Sequence, residues 1–237
     1  METSRLLGFV ALMLPLAMVA APRASAVGST AATAEHSMRQ FLAQGAEPHP
    51  YRATRRIEAR HRDSVGWIEA ETEFSPATGF RYTITAEGGS EQLREKVLHK
   101  ILEGEREAVA KGEISRATLA PCNYEFQAAG VDGQGLANVL LAPKRKERTL
   151  VEGTMFLRPA DGELVRVQGR LAKSPSFWVK RVDIVRTYDR INGAVVPVAL
   201  DTTAQVRMFG SATLRMTYDY TEIDGRPVAP QQLTARR

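Results

Sequence analysis

The fold of this chain is decided by residues 51–87, YRATRRIEARHRDSVGWIEAETEFSPATGFRYTITAE. Three segments of this stretch, 51–61, 66–74 and 79–87, alternate polar with mostly apolar side chains. A period of two is typical of antiparallel strands with one buried face, so we predict three such strands. The side chains predicted to face the core are Tyr51, Ala53, Ile57, Ala59, Ile68, Ala70, Thr72, Phe74, Phe80, Tyr82, Ile84 and Ala86.

The polar positions of the first two strands carry opposite charges. Segment 51–61 is rich in arginine, whereas segment 66–74 contributes Glu69, Glu71 and Glu73. Opposite charges across a strand pair stabilise it by about 0.2–1 kcal/mol each. We therefore interpret these residues as ion pairs on a solvated face. The alternative is that the three carboxylates form a catalytic cluster.

Two helices are predicted from apolar residues at helical spacing. The first covers residues 33–44 and ends at Gly45, and the second covers residues 90–111, with Ser90 as its N-cap and Gly112 after its end. The second helix is amphipathic. It is expected either to pack across an open sheet face or to act as a lid over an apolar groove. Its apolar stripe consists of Leu93, Val97, Leu98, Ile101, Leu102 and Val109.

The rest of the chain predicts a run of further strands, with Asn192-Gly193 as the strongest hairpin signal. The total is about ten strands and two helices in a single domain, residues 27–237. Such a chain hides its apolar face by curling. The predicted fold class is mainly β with helices: a strongly curved antiparallel sheet or incomplete β-barrel closed by amphipathic helices, with room for an apolar cavity. The predicted strands are 123–129, 134–142, 155–158, 165–171, 177–188, 195–208 and 211–221.

The N-terminus has the pattern of a secretory signal. Arg5 precedes an apolar run at residues 6–21, and Ala24-Ser25-Ala26 supplies the small residues of a cleavage site. We predict a signal peptide over residues 1–26, cleaved after Ala26, and a periplasmic or secreted mature protein. An uncleaved membrane anchor is the alternative.

Composition excludes several classes of protein. The 237 residues contain 32 Lys and Arg against 27 Asp and Glu, a net charge of +5, and a single cysteine, Cys122. One cysteine excludes an intrachain disulfide framework and a Cys-based zinc site. We expect Cys122 to be buried; the alternative is that it pairs with another chain. No basic run with interleaved aromatics suggests nucleic-acid binding, although the charge suits transient contact with an anionic membrane surface.

A search for chemistry-bearing motifs yields no catalytic residue, metal site or cofactor. The four histidines, at 36, 49, 61 and 99, lack metal-ligand spacing. The apolar inventory is more suggestive, because Met and aromatic side chains adapt to flexible apolar ligands. We predict that the ligand is lined by Phe74, Phe80, Tyr82, Leu98, Ile101, Leu102, Phe126, Phe156, Met208, Met216 and Tyr218.

The pattern resembles the LolA/LolB-like group of exported lipid and lipoprotein carriers. The resemblance rests on the signal sequence, MRQFL at 38–42, the three early strands, the inserted helix, FWVKRVD at 177–183 and VVPVAL at 195–200. It implies an incomplete β-barrel closed by helices that hold acyl chains. It also implies an arginine that contacts the lid, for which Arg52, Arg56 and Arg81 are candidates.

The predicted function is that of an exported soluble binding or carrier protein for an apolar ligand, a lipid or lipoprotein acyl chain, held between sheet and helices. Two alternatives stay open. One is an envelope sensor or protein-interaction module, whose partner would be another envelope protein. The other is a hydrolase with a site in the concavity, for which His61 would have to lie beside a carboxylate.

Overall fold

A computed structural model describes residues 24–45, 48–177, 179–208 and 210–229. Most of the predicted signal peptide lies outside these residues. The described elements are α1 (Ala24–Ala43), β1 (Tyr51–His61), β2 (Ser64–Ser75), β3 (Gly79–Gly89), α2 (Glu91–Leu93), a π-helical turn (Arg94–Leu98), α3 (His99–Ala110), a 3₁₀ turn (Glu113–Arg116), β4 (Tyr124–Val131), β5 (Ala137–Pro143), β6 (Val151–Leu157), β7 (Leu164–Leu171), β8 (Val179–Ile191), β9 (Ala194–Val206), β10 (Gly210–Ile223) and β11 (Arg226–Pro227).

All eleven described strands belong to one antiparallel sheet. The strand order is β3-β2-β1-β10-β9-β8-β7-β6-β5-β4, and the short β11 pairs with β10. β3 and β4 form the two edges, so the sheet is not closed into a barrel. The predicted fold class, an incomplete antiparallel barrel with helices, is confirmed.

The register places one continuous row of side chains across eight strands. Its members, from β2 to β5, are Ile68, Ile57, Met216, Leu200, Arg186, Val167, Met155 and Val139. We call the face that carries this row the inner face and the opposite one the outer face. Seven of the eight residues are apolar, and the exception is an arginine in the middle of the row.

Helices cover the two ends of the inner face. α1 lies against β4, β5 and β6, whereas the segment formed by α2, the π-helical turn and α3, here the lid segment, lies against β1, β2 and β3. Each helical cover belongs to its own apolar cluster, and Leu200 packs against both clusters. In the described part of the chain, no helix combines the length and apolar character that a membrane span requires.

Several local predictions need correction. α1 begins at Ala24 rather than residue 33, because its Ala-rich first half favours helix. The lid segment contains a π-helical turn, and the Ser90 side chain makes no capping hydrogen bond. Cys122 is exposed, not buried. The Asn192-Gly193 hairpin is confirmed, with φ values of 51° and 89°.

Candidate ligand-binding site

The lid segment is attached to the inner face mainly by large apolar side chains. Leu98 and Leu102, four residues apart on one helical face, are both fully buried. They belong to the same cluster as Ile57 and Ile68. Burial of each leucine is worth about 2 kcal/mol. The described side chains therefore fill the space around Leu98 and Leu102 beneath the lid segment, where the sequence predicted room for an apolar cavity.

Most of the predicted lining residues come together under the lid segment. Five of them are buried in its cluster, and three more are partly buried against it. Phe126 packs instead in the cluster beneath α1. The buried five are Phe74, Phe80, Leu98, Leu102 and Met216, and the partly buried three are Tyr82, Ile101 and Tyr218.

Two predicted lining residues lie elsewhere. Phe156 is on the outer face, where the Arg166 guanidinium carbon lies 4.1 Å from its ring centroid, because its neighbour Met155 takes the inner position. Met208 lies beyond the end of β9, in a turn with φ 63°, and is 88% exposed. The inward placement expected for Phe156 and Met208 is therefore wrong.

The side chain that joins the sheet to the lid segment is Arg55, which is only 2% exposed. Its Nη1 donates to Glu105 Oε2 at 2.6 Å, and its Nη2 donates to Glu105 Oε1 at 3.0 Å. Nη2 also donates to the Tyr51 hydroxyl. The guanidinium carbon lies 4.9 Å from the Phe80 ring centroid and 4.7 Å from that of Tyr218. This is a bidentate, partly desolvated ion pair inside an aromatic cage.

The charge of Arg55 is held firmly by its surroundings. Burial lowers the pKa of Arg55, but Tyr218, Glu105 and Tyr51 outweigh it and raise the pKa above the ordinary arginine value. Burial raises the pKa of Tyr51 and Tyr218, which keeps both hydroxyls neutral. Arg55 thus remains charged, and opening the lid segment would separate it from the Glu105 carboxylate.

Sequence reasoning missed Arg55 and proposed Arg52, Arg56 and Arg81. Arg56 pairs with Glu69 at 2.5 Å, and Arg81 pairs with Glu73 at 3.1 Å, all on the outer face. The Arg56–Glu69 pair confirms the predicted charge pairing between β1 and β2, and the engagement of Glu69 and Glu73 in ion pairs leaves the catalytic carboxylate cluster unsupported. The alternation of side chains along β1 is enough to place Arg55 on the inner face, because it lies between the inner-facing residues Ala53 and Ile57.

A second arginine, Arg186, occupies the middle of the inner row. Tyr188 raises the pKa of Arg186 above the ordinary arginine value against the opposing effect of burial, and Tyr218 and Glu105 add to the rise. Its Nε is buried and finds no hydrogen-bond partner among the described residues. Arg186 also lowers the pKa of Tyr124 on edge strand β4, although burial of that hydroxyl outweighs it. Arg186 therefore lies between the two halves of the sheet.

The first turn of the lid segment is attached through backbone. Ser90 N donates to Val65 O at 2.7 Å, and a Cβ on Gly66 would lie 2.9 Å from Leu93 Cβ. A register shift between β2 and β3 places Glu87 opposite Ile68. The Glu87 carboxylate pairs with Arg94 and lies within hydrogen-bond distance of His99 Nε2, at 2.8 Å. This end is therefore the more firmly held end of the segment.

Other titratable groups lie away from this site. His49 pairs with Asp224 at 2.9 Å at the surface, and His36 is exposed. In the chain as far as it is described, no three His, Cys, Asp or Glu side chains come together as metal ligands would. A cavity of about 1020 Å³ lies on the outer face over β4–β9, bordered by the paired charges Arg170–Glu152 and Arg181–Asp183.

Comparison with known proteins gives two structural neighbours. The chain is similar to a LolA superfamily protein from Nitrosomonas europaea, with a TM-score of 0.41 and 10% identity, covering 86% of this chain and 97% of that one. It is also similar to a DUF1329 family protein from Desulfovibrio piger, with a TM-score of 0.35 and 6% identity, covering 80% and 91%. The first neighbour carries the family name that the sequence resemblance suggested. No protein-family model and no curated protein matches the sequence.

Proposed function

We propose that this protein is a non-enzymatic carrier that holds an apolar ligand, an acyl chain of a lipid or lipoprotein, between the inner face and the lid segment. The observation that carries the proposal is the manner of attachment: apolar side chains and one bidentate ion pair hold α3 to the sheet. An acyl chain offers the same kind of apolar contact. It can therefore replace Leu98 and Leu102 with little net change in buried apolar surface.

Entry of the ligand requires the lid segment to swing away. Opening exposes apolar surface, and the ligand covers that surface again. The main contribution to the free energy of opening therefore comes from separating Arg55 from Glu105. A closed state held in this way releases cargo when the segment recloses. No covalent step is required.

The test is uptake of a fluorescent fatty acid by the purified protein, together with mass spectrometry of co-purifying lipid. Glu105→Gln removes the negative charge with which α3 pairs with Arg55, so it should speed uptake about tenfold. Glu107→Gln is the matched control, because Glu107 lies on the same helix in an exposed pair with Lys111 at 3.2 Å. Absence of both uptake and bound lipid would overturn the proposal.

The exposed end of the sheet supports the expected contact with a membrane surface. Phe177 is 73% exposed, and the Arg207 guanidinium carbon lies 4.8 Å from its ring centroid. A cavity of about 610 Å³ beside the exposed Met208 is lined by Arg60 and Arg62. Apolar side chains flanked by cations complement an anionic bilayer.

Flotation with vesicles tests this contact. The protein should float with phosphatidylglycerol vesicles and not with phosphatidylcholine vesicles. Met208→Ser should weaken flotation, whereas Leu140→Ser, which removes a 42% exposed side chain from the outer face, should not. Equal flotation with both lipids would contradict the contact.

A protein-interaction module is the second candidate, favoured by the outer-face cavity and the paired charges that border it. A cavity with internally paired charges suits a polar protein surface rather than a lipid. Arg170→Glu should then abolish binding of an envelope protein while leaving fatty-acid uptake unchanged.

A further inference from the structure

Two arginines, Arg55 and Arg186, lie on the inner face of the sheet. Arg55 is almost completely buried, and Arg186 projects from the same face with its Nε buried and without a hydrogen-bond partner among the described residues. Glu105 is bound by Arg55 through both of its carboxylate oxygens. The Nε of Arg55 is likewise buried and lacks a partner in the described chain.

Glu105 pairs with Arg55 in the closed state, and Arg186 lies on the same face of the sheet. Arg186 belongs to the same row as Ile57, the inner-facing residue of β1 that follows Arg55, and Glu105 raises the pKa of both arginines. Tyr188 and Tyr218 also raise the pKa of Arg186, so both side chains belong to its surroundings in the closed structure. Arg55 is buried and Arg186 is partly buried, and a cation that is removed from water is stable only when it is paired.

Opening the lid segment removes the carboxylate that pairs with Arg55. Glu105 lies on α3 and leaves with it, whereas Arg55 on β1 and Arg186 on β8 stay with the sheet. Both arginines then face the space that the ligand enters. A neutral ligand would leave two cations in an apolar surrounding, whereas an anionic group would restore the pairing that Glu105 provides.

We propose that the ligand is an amphiphile with an anionic head group, a carboxylate or a phosphate, which binds Arg55 and Arg186 in the place that Glu105 occupies in the closed structure. This inference rests on the proposed carrier function and specifies its ligand class. The planar fork of arginine suits both head groups, because each offers two oxygens for bidentate hydrogen bonds. The acyl chain then lies along the apolar row under the displaced Leu98 and Leu102.

The experiment compares three probes that share one chain: a BODIPY-labelled dodecanoic acid, its methyl ester, and the corresponding alkyl phosphate. Binding is measured by fluorescence titration of the full-length protein at pH 8. At least one anion should bind about tenfold more tightly than the ester or better, since a desolvated charge pair adds that much. Which anion binds more tightly identifies the head group.

Substitution of Arg186 assigns the effect to this site. Arg186→Met should lower the affinity for the preferred anion about fivefold or more and leave the ester within about twofold, whereas Arg186→Lys should keep part of the preference. Arg166→Met is the matched control, because Arg166 lies on the outer face of the neighbouring strand and also has a buried Nε without a partner among the described residues. It should bind all three probes as the unaltered protein does.

The outcomes separate the two proposals. If the ester and both anions bind equally to the unaltered protein, the head-group inference is overturned and the carrier proposal stands. If none of the probes binds, the carrier proposal fails and the inference with it. If Arg186→Met does not fold, the comparison of probes on the unaltered protein and on Arg186→Lys still decides.

Discussion

The two helical covers of the inner face are built differently. At the α1 end, the main chain of the β6–β7 turn packs directly against the main chain of α1. A Cβ atom added to Gly162 in this turn would lie 2.7 Å from Ser37 O and 2.9 Å from Phe41 N. Gln44 Nε2 also donates to Asp161 O at 2.8 Å. Atoms of the main chain cannot be rearranged by a change of rotamer, so this end has a single arrangement.

At the lid end, only the first turn touches the sheet through backbone, near Ser90 and Gly66. Beyond the π-helical turn, α3 is held by side chains, namely Leu102, Glu103 and Glu105. Such contacts can be exchanged for those of a ligand. The comparison teaches that α1 is attached through main-chain contacts and α3 through side chains, so we expect any movement of the covers to occur in α3, about the π-helical turn, because such turns are common sites of helix kinks.

The largest expected effect on the free energy of unfolding comes from truncating one buried leucine in each of the two apolar clusters. Leu157→Ala, in the α1 cluster, should lower the free energy of unfolding by about 3 kcal/mol, because a fully buried leucine is lost. Leu102→Ala, equally buried, should lower it by less, since the loss is limited to the free energy that attaches the lid segment. Urea denaturation measures both values.

Hydrogen exchange measures how each substitution changes the protection of the amides in α1 and in α3 separately. Leu102→Ala should speed exchange of α3 amides while α1 amides keep their protection, and Leu157→Ala should affect both helices together. Equal losses of stability, with no selective exchange in α3, would mean that the two covers are equally fixed.

A pair of glycines on the two sides gives the next largest effect. Gly162→Ala should destabilise by about 2 kcal/mol, because its Cβ would collide with α1 and its φ of 69° disfavours a side chain. Gly104→Ala, in α3, is the matched control. Nothing lies within 4 Å of its Cβ, so the better helix former should stabilise by about 0.5–1 kcal/mol. Thermal unfolding shows whether each substitution raises or lowers the stability. A Gly162→Ala variant as stable as the unaltered protein would contradict the close packing of the β6–β7 turn against α1.

The same contrast explains what the sequence was able to predict. β1 was predicted with the observed bounds, and β2 and β3 within two residues, because long alternating runs such as Ile68 to Phe74 fix both strand and face. Phe156 was assigned to the wrong face because residues 155–158 are too short a run to fix parity. Met208 was included because the pattern does not mark where β9 ends.

Arg55 was missed for a different reason. A charged residue in an alternating strand is normally assigned to the solvated face, and its burial depends on Glu105, fifty residues away on another element. Cys122 was expected in the core on its residue type, whereas it follows Pro121 in a turn that leads into β4. The alternation of β1 places Arg55 on the inner face, but it does not encode the partner that makes burial of a charge possible, nor the turn that exposes Cys122.

The smallest expected effect is a pH dependence confined to the lid end. Arg106 lowers the pKa of Glu103, and a hydrogen bond donated by the Tyr82 hydroxyl at 3.2 Å lowers it further. A carboxyl with a lowered pKa contributes its stabilisation above its unfolded pKa and loses it as the pH falls through the folded value. Attachment of α3 should therefore weaken below about pH 4.5, the ordinary value for the group.

Hydrogen exchange at pH 7 and pH 4, corrected for intrinsic rates, measures this effect. α3 amides should lose protection at the lower pH more than α1 amides do. Tyr82→Phe removes the hydroxyl that joins Glu103 to β3, so it should make the α3 change smaller while leaving α1 unaltered. An equal loss of protection in both helices at pH 4 would show that acid acts on the whole sheet, and the lid end would then have no separate response to pH.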